Sequence, residues 1–504
     1  MTGTTPFPRP GRRLSGRAGS FAIAAALALG SGPGFAQTPP LEDFAALASP
    51  DAKTSEAASR RLALVWKDGY ASMVIDLARF FRPARPESAA EAAEEPAGVD
   101  EERAAAGVQG RGADPVAPRP RSTEALIRDR LLRFLSSRTG KSFGDDLKAW
   151  RRWSWTLPED PHPEYPAFKG RLYARIDPRM ASFFQSEVKP RIRLDEIDWG
   201  GVGVNGIPPL DQPKVVPARE AGYMGDRNVV FGIVVNGEAR AYPKRILAWH
   251  EMALDTLGGV KLAVVYCTLC GTVIPYETVV DGRSFRLGTS GLLYRSNKLM
   301  FDAETGSLWS TIEGRPVVGP LAGSSIVLKY RPVVTTYWKE WREAHPDTTV
   351  LSLETGHARD YREGAAYRSY FSTDDLMFEV PRQDPRLKRK AEALTFIAGE
   401  GAQRTPVAID AAFLKKNPVH MFEAAARTYV VFSTGAGANR IYRADDLRFV
   451  RATASEAMAE NGDVWKITED RLEGPEGQVR PREPARRTFW FAWFSQYPET
   501  RLIK

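Results

Sequence analysis

The chain has two cysteines in 504 residues, Cys267 and Cys270, three apart and followed at once by Gly271. Two thiols at that spacing permit a short disulfide, a redox-active dithiol, or two ligands of a metal site. A thioredoxin-like pair sits at a helix N-terminus, where the dipole lowers a thiol pKa. Here an apolar, β-branched run (262–266) leads into the pair, and Gly271 with more β-branched, Pro-interrupted sequence leads out. The pattern predicts strand, turn, strand. That is the outline of a metal knuckle, in which a glycine of positive φ aims both sulfurs at one point.

Two thiolates do not complete a metal site. His250, in Ala248-Trp249-His250-Glu251-Met252, is the third donor this reading selects, and Met300 is a soft fourth. Such a set suits copper or zinc better than magnesium or calcium. Thiol exchange at the same pair stands beside metal binding, and two other readings stay open: a satisfied structural histidine, and a local disulfide that pins a turn in a non-catalytic interaction or scaffold protein. Between the thiols and Trp309 runs a polar stretch, 289–302, whose Tyr294, Asn297, Met300 and Asp302 either line a pocket or cap a strand pair. No Gly-rich phosphate loop, Gly-x-Ser-x-Gly elbow or His-Glu-x-x-His is present, so nothing argues for a hydrolase, and enzymatic activity is left unassigned.

The elements that must position these residues are read from periodicity. Residues 37–82 carry apolar positions at helical spacing and predict two or three short helices. Residues 83–122, dominated by Ala, Glu, Pro, Gly and Arg, read as a disordered linker. Residues 123–190 resume the helical pattern. From 191 the chain alternates like strands, with a hairpin at Asn236-Gly237 and helices expected only at 245–257 and 336–344. Residues 229–351 can be laid on 395–503: Val264 to Gly271 matches Val430 to Gly437, so Cys267 meets Ser433 and Cys270 meets Ala436. Trp309, Trp338 and Trp341 likewise meet Trp465, Trp490 and Trp493. The fold class expected is α+β, mainly β: a duplicated β-rich unit, 191–385 with the thiols and 386–504 without them, after a helical-hairpin-like N-terminal region.

The formal charge is +8, and Arg9, Arg12, Arg13 and Arg17 make up half of it. They precede an apolar run, 21–29, and a small-residue site at Gly34-Phe35-Ala36, the order of a secretory signal peptide covering 1–36. A chain cut there keeps +4, with no basic stripe for nucleic acid. The expectation is a periplasmic or secreted protein with no membrane span after cleavage. The N-terminal helices are the region from which a protein partner would be expected to bind.

Several motifs resemble a family of secreted bacterial and archaeal proteins catalogued as domain of unknown function thirty-one seventy-nine. They are Ile207-Pro208-Pro209-Leu210-Asp211, Asn236 to Pro243, Trp249-His250-Glu251, Tyr266 to Thr272, and Ser290 to Asn297 through Trp309. The likeness covers about 190–385 and is weaker beyond. It implies that His250 and the thiols are the focus of the family and carries no activity with it.

Overall fold

The structure, a computed structural model, describes residues 38–82, 122–159 and 161–504. The expected signal segment and nearly all of the expected linker lie outside these residues.

Three helices precede the linker, Leu41–Leu47, Ala52–Leu64 and Ala71–Ala78, and three follow it, Thr123–Thr139, Leu147–Ser154 and Tyr165–Tyr173. Their starts are written in the sequence. Asp51, Ser122 and Asp146 each accept a hydrogen bond from the backbone N–H three residues on, which satisfies a donor the helix itself cannot. Tyr165–Tyr173 lies within the stretch expected to be helical, although Pro166 and Gly170 lower its helix propensity. Pro166 is harmless in the first turn, and a Cβ at Gly170 would stand only 3.2 Å from the Ala181 carbonyl, so the glycine allows close packing. Both helical stretches share one apolar cluster, with Phe44, Leu62, Val74, Leu131 and Trp150 meeting Leu292, Leu299 and Val317 of the first β-half. No described helix is long and apolar enough to cross a membrane.

The rest is mainly β, within the α+β class expected. In the first half Val229–Val235 and Glu238–Pro243 form a hairpin, and Asn236 and Gly237 both take positive φ, as a type I′ turn needs. Val334–Tyr337 pairs antiparallel with the first strand of this hairpin, and Thr349–Leu351 runs parallel beside the second. In the second half Glu392–Ala398 and Thr405–Asp410 are flanked in the same directions by Arg486–Phe489 and Arg501–Ile503. A short helix follows each hairpin, Lys244–His250 or Ala411–Lys416, and then a three-strand meander. The meanders are Met252–Leu257, Val260–Cys267 and Thr272–Glu277, and Val419–Ala424, Arg427–Ser433 and Asn439–Arg443. A Trp-bearing helix follows each flanking strand, Trp338–Ala344 or Trp490–Gln496. Trp309, Trp338, Trp341, Trp465, Trp490 and Trp493 are all buried.

The halves interlock. Arg486–Phe489 lies along Thr272–Glu277, with Thr488 donating to the Thr272 hydroxyl at 3.1 Å. Buried Glu469 takes Arg440 at 2.6 Å and also Arg482, whose other nitrogen reaches the Val333 carbonyl at 3.1 Å.

Two sequence expectations change. The helix expected at 245–257 ends at His250, where Glu251 turns left-handed (φ 56°), and 252–257 is a strand paired with Val260–Cys267. The alternating positions of that stretch find a strand partner that no local pattern reveals. The polar stretch 289–302 is a hairpin, Leu287–Tyr294 with Asn297–Asp302, turning at Arg295-Ser296 with φ of 50° and 60°.

Candidate functional site

Cys267 ends one strand and pairs with Thr272, which opens the next, so both cysteines lie in the turn of a hairpin. The turn closes through the Cys270 N–H to the Cys267 carbonyl (3.1 Å) and the Gly271 N–H to the Thr268 carbonyl (3.3 Å). Gly271 has φ +61°, as the sequence predicts, and a Cβ there would meet the Phe489 ring at 2.8 Å. Glycine is therefore required twice, for the left-handed backbone and for the ring packed on it. The backbone of Phe489 also donates to the Cys270 carbonyl at 2.8 Å. The site is thus built by both halves of the chain.

The sulfurs are joined in a disulfide, with Cα atoms 5.2 Å apart. Both cysteines are buried, at 2% and 0% exposure, under Leu269, Tyr370, Phe489 and Phe491. Tyr370 pins the cover by donating to the Leu269 carbonyl at 2.8 Å. On the other side Asn297 is set by its hairpin. Its amide nitrogen faces the carbonyls of Arg295 (2.9 Å) and Ala492 (3.4 Å), which turns Oδ1 toward Cys270 Sγ at 3.1 Å. That is the position of an acceptor for a thiol proton. A disulfide has no proton to give it. The buried hydroxyls of Thr268, in the same turn, and of Ser296, whose carbonyl lies 3.9 Å from Cys270 Sγ, also lack a hydrogen-bond partner.

Lys298, on the same hairpin, is buried and donates to the carbonyls of Glu251 (2.7 Å) and Tyr266 (3.2 Å), with the Glu251 carboxylate at 3.4 Å. Burial pulls its ammonium below the usual lysine range. This cation anchors the residue before Cys267 and the residue after His250.

The other expected site residues are placed elsewhere. His250 is fully buried, and both ring nitrogens are engaged, Nδ1 with the Pro208 carbonyl at 3.0 Å and Nε2 with the Tyr361 hydroxyl at 2.6 Å. Burial pushes its pKa down to about 4. Met300 is core, in contact with Trp309 and its neighbours. Asp302 caps a turn, accepting from Thr305 N–H (2.7 Å) and from Trp309 Nε1 (2.7 Å). Tyr294 packs against the helical region. Of the four residues expected to line a pocket, the structure brings only Asn297 to the cysteines. Among the described residues no group of three or more His, Cys, Asp or Glu gathers as a metal would require.

What the sequence reading missed was the cover, since Tyr370 lies about a hundred residues from the pair and Phe489 more than two hundred. Comparison with the curated proteins and with the solved structures gives no match. A family model described as protein of unknown function (DUF3179) matches residues 204–500, a span that holds the disulfide, Asn297 and the residues that cover the pair. The match takes in more than half of the chain, which therefore belongs to that family.

Proposed function

We propose that the protein is an exported thiol–disulfide exchange protein whose reactive pair is Cys267 and Cys270. The observation that carries this reading is Asn297 Oδ1 at 3.1 Å from Cys270 Sγ, held there by its own amide contacts. A permanent staple has no use for a buried acceptor aimed at sulfur, and the dithiol does. The arrangement favours a pair that visits both states. In the reducing direction the two cysteine thiols give two electrons to a partner disulfide. A thiolate attacks one partner sulfur, the mixed disulfide is resolved by the second cysteine, and the two protons leave on the partner's thiols.

The exchange partner reaches the sulfurs only when the cover moves or when the partner is small, because the pair is buried. The two β-rich halves read as copies of one unit, with matching strand order, of which only the first carries cysteine. A structural disulfide is the competing reading, supported by that same burial.

The test is a redox titration of the purified mature protein, with trapped thiols counted by mass. A reversible midpoint within the range of exchange proteins, about −120 to −270 mV, supports exchange. A disulfide that resists reduction until the protein unfolds refutes it. Adding zinc(II) or copper(I) to the reduced form tests metal binding separately, through proton release.

A further inference from the structure

The two sulfurs have different surroundings. Among the described residues only Cys270 Sγ has polar neighbours within hydrogen-bond reach, and both are acceptors, Asn297 Oδ1 at 3.1 Å and the Ser296 carbonyl at 3.9 Å. The Asn297 amide cannot present its nitrogen to sulfur instead. Reversed, its oxygen would face the carbonyls of Arg295 and Ala492, which now receive Nδ2 at 2.9 and 3.4 Å, and lone pairs would meet lone pairs. An acceptor stabilises S–H and offers nothing to a thiolate, so it holds a thiol in its protonated form. The backbone of Cys270 is fixed as well, its N–H on the Cys267 carbonyl at 3.1 Å and its carbonyl under the Phe489 N–H at 2.8 Å.

The same oxygens shield Cys270 from attack. A thiolate approaching that sulfur brings negative charge toward two carbonyl oxygens, which repel it in a buried, weakly screened place. Regular structure also holds this side closed: the hairpin that turns at Arg295-Ser296, and the helix Trp490–Gln496, whose Ala492 carbonyl orients the amide. Tyr370 comes from a different kind of segment. Residues 352–391 contain one five-residue helix, Arg368–Ser372, and no strand, so this part of the cover moves without breaking a strand ladder.

We propose that Cys267 is the sulfur that exchanges with the partner, and that Cys270, held as a thiol by Asn297, resolves the mixed disulfide. The assignment rests on the exchange reading and divides its two steps between the sulfurs. In the reducing direction the Cys267 thiolate attacks one sulfur of the partner disulfide, and the other partner sulfur leaves as a thiolate that water protonates. Cys270 then loses its proton, its sulfur attacks Cys267, and the remaining partner sulfur departs and takes up a proton. Asn297 is a positioning residue that acts through Cys270. Because it disfavours the Cys270 thiolate, it slows the second step, and the mixed disulfide on Cys267 persists.

The test uses the mature protein with one thiol at a time, Cys270→Ala and Cys267→Ala, and iodoacetamide and glutathione disulfide as probes. One buried hydrogen bond lowers the thiolate fraction about fivefold, and the greater nucleophilicity of the more basic thiolate returns about half of that. Cys270→Ala should therefore alkylate at least about twofold faster at pH 7 and should form the glutathione adduct sooner, counted by mass. The pH of half-maximal rate separates the role of Asn297 from packing. It should lie higher in Cys267→Ala than in Cys270→Ala. Adding Asn297→Leu to Cys267→Ala should lower it by about 0.7 pH units, whereas Asn297→Asp, which keeps an acceptor, should not lower it. In the reduced wild-type protein, brief alkylation and fragmentation of the labelled peptide should find Cys267 modified first, a measurement that does not depend on the folding of any variant. The proposal is overturned if Cys267→Ala reacts as fast as Cys270→Ala, if the first label falls on Cys270, or if the leucine and aspartate replacements move the half-maximal pH alike. Any of these beside a reversible midpoint in the redox titration removes the assignment and leaves exchange standing. A native disulfide that resists reduction removes exchange itself, whatever the order of reactivity.

Discussion

Replacing Asn297 by leucine probes the disulfide directly. In the dithiol form the Cys270 thiol donates to Asn297 Oδ1. In the disulfide form that oxygen faces sulfur at 3.1 Å with no proton between them. Leucine has nearly the same size and no oxygen, so it removes a stabilising contact from the reduced state and an unmet acceptor from the oxidised state. Both changes favour the disulfide. One buried neutral hydrogen bond is worth about 1 kcal/mol, and leaving a buried group unpaired costs up to about 3 kcal/mol. For a two-electron couple 1.4 kcal/mol is about 30 mV, so the midpoint of Asn297→Leu should fall by roughly 20 to 65 mV. The assay is equilibration in dithiothreitol redox buffers, acid quenching, alkylation and a mass count of modified thiols. Melting curves of both oxidation states show whether the amide contacts to Arg295 and Ala492 mattered to the fold. A midpoint unchanged within about 10 mV, or one that rises, refutes the role given to Asn297.

Three further outcomes are expected. His250 is neutral in the folded protein down to about pH 4, while the unfolded chain takes up its proton near 6.5. Its contribution is therefore complete above pH 6.5 and is lost as pH falls toward 4, about 3 kcal/mol in all. Urea unfolding of His250→Gln from pH 7 to 4 should show a correspondingly shallower decline, and parallel curves would contradict this. Gly271→Ala forces a left-handed alanine into the Phe489 ring and should cost about 2 kcal/mol or more; a loss under about 0.5 kcal/mol in urea unfolding would mean the turn yields freely. Glu469→Ala strands Arg440 and Arg482 without their carboxylate inside the protein. It should cost about 3–5 kcal/mol, and calorimetry that finds no change would remove this cluster as a lock between the halves.

Much of the architecture is local and was legible. Helix starts at Asp51, Ser122 and Asp146 depend on a side chain and a backbone N–H three residues away. The Asn236-Gly237 turn and the left-handed Gly271 depend on backbone conformations few other residues accept. The mainly-β class and the strand, Cys-x-x-Cys-Gly, strand hairpin follow from alternation that short windows contain. What the sequence left open is what depends on distant partners. The stretch 252–257 reads as the end of a helix until Val260–Cys267 lies beside it. His250 stands twenty residues before Cys270, yet its ring is held by Pro208 and Tyr361, because the left-handed turn at Glu251 sends the chain off in a new direction. Asn297 reaches the sulfur because a hairpin turn and the carbonyl of Ala492, 195 residues away, orient its amide. The residue types around Cys267 and Cys270 were fixed by sequence. Which of them touch sulfur was decided by long-range packing, since side-chain contacts across a fold depend on where strands pair and not on how far apart residues stand in the chain.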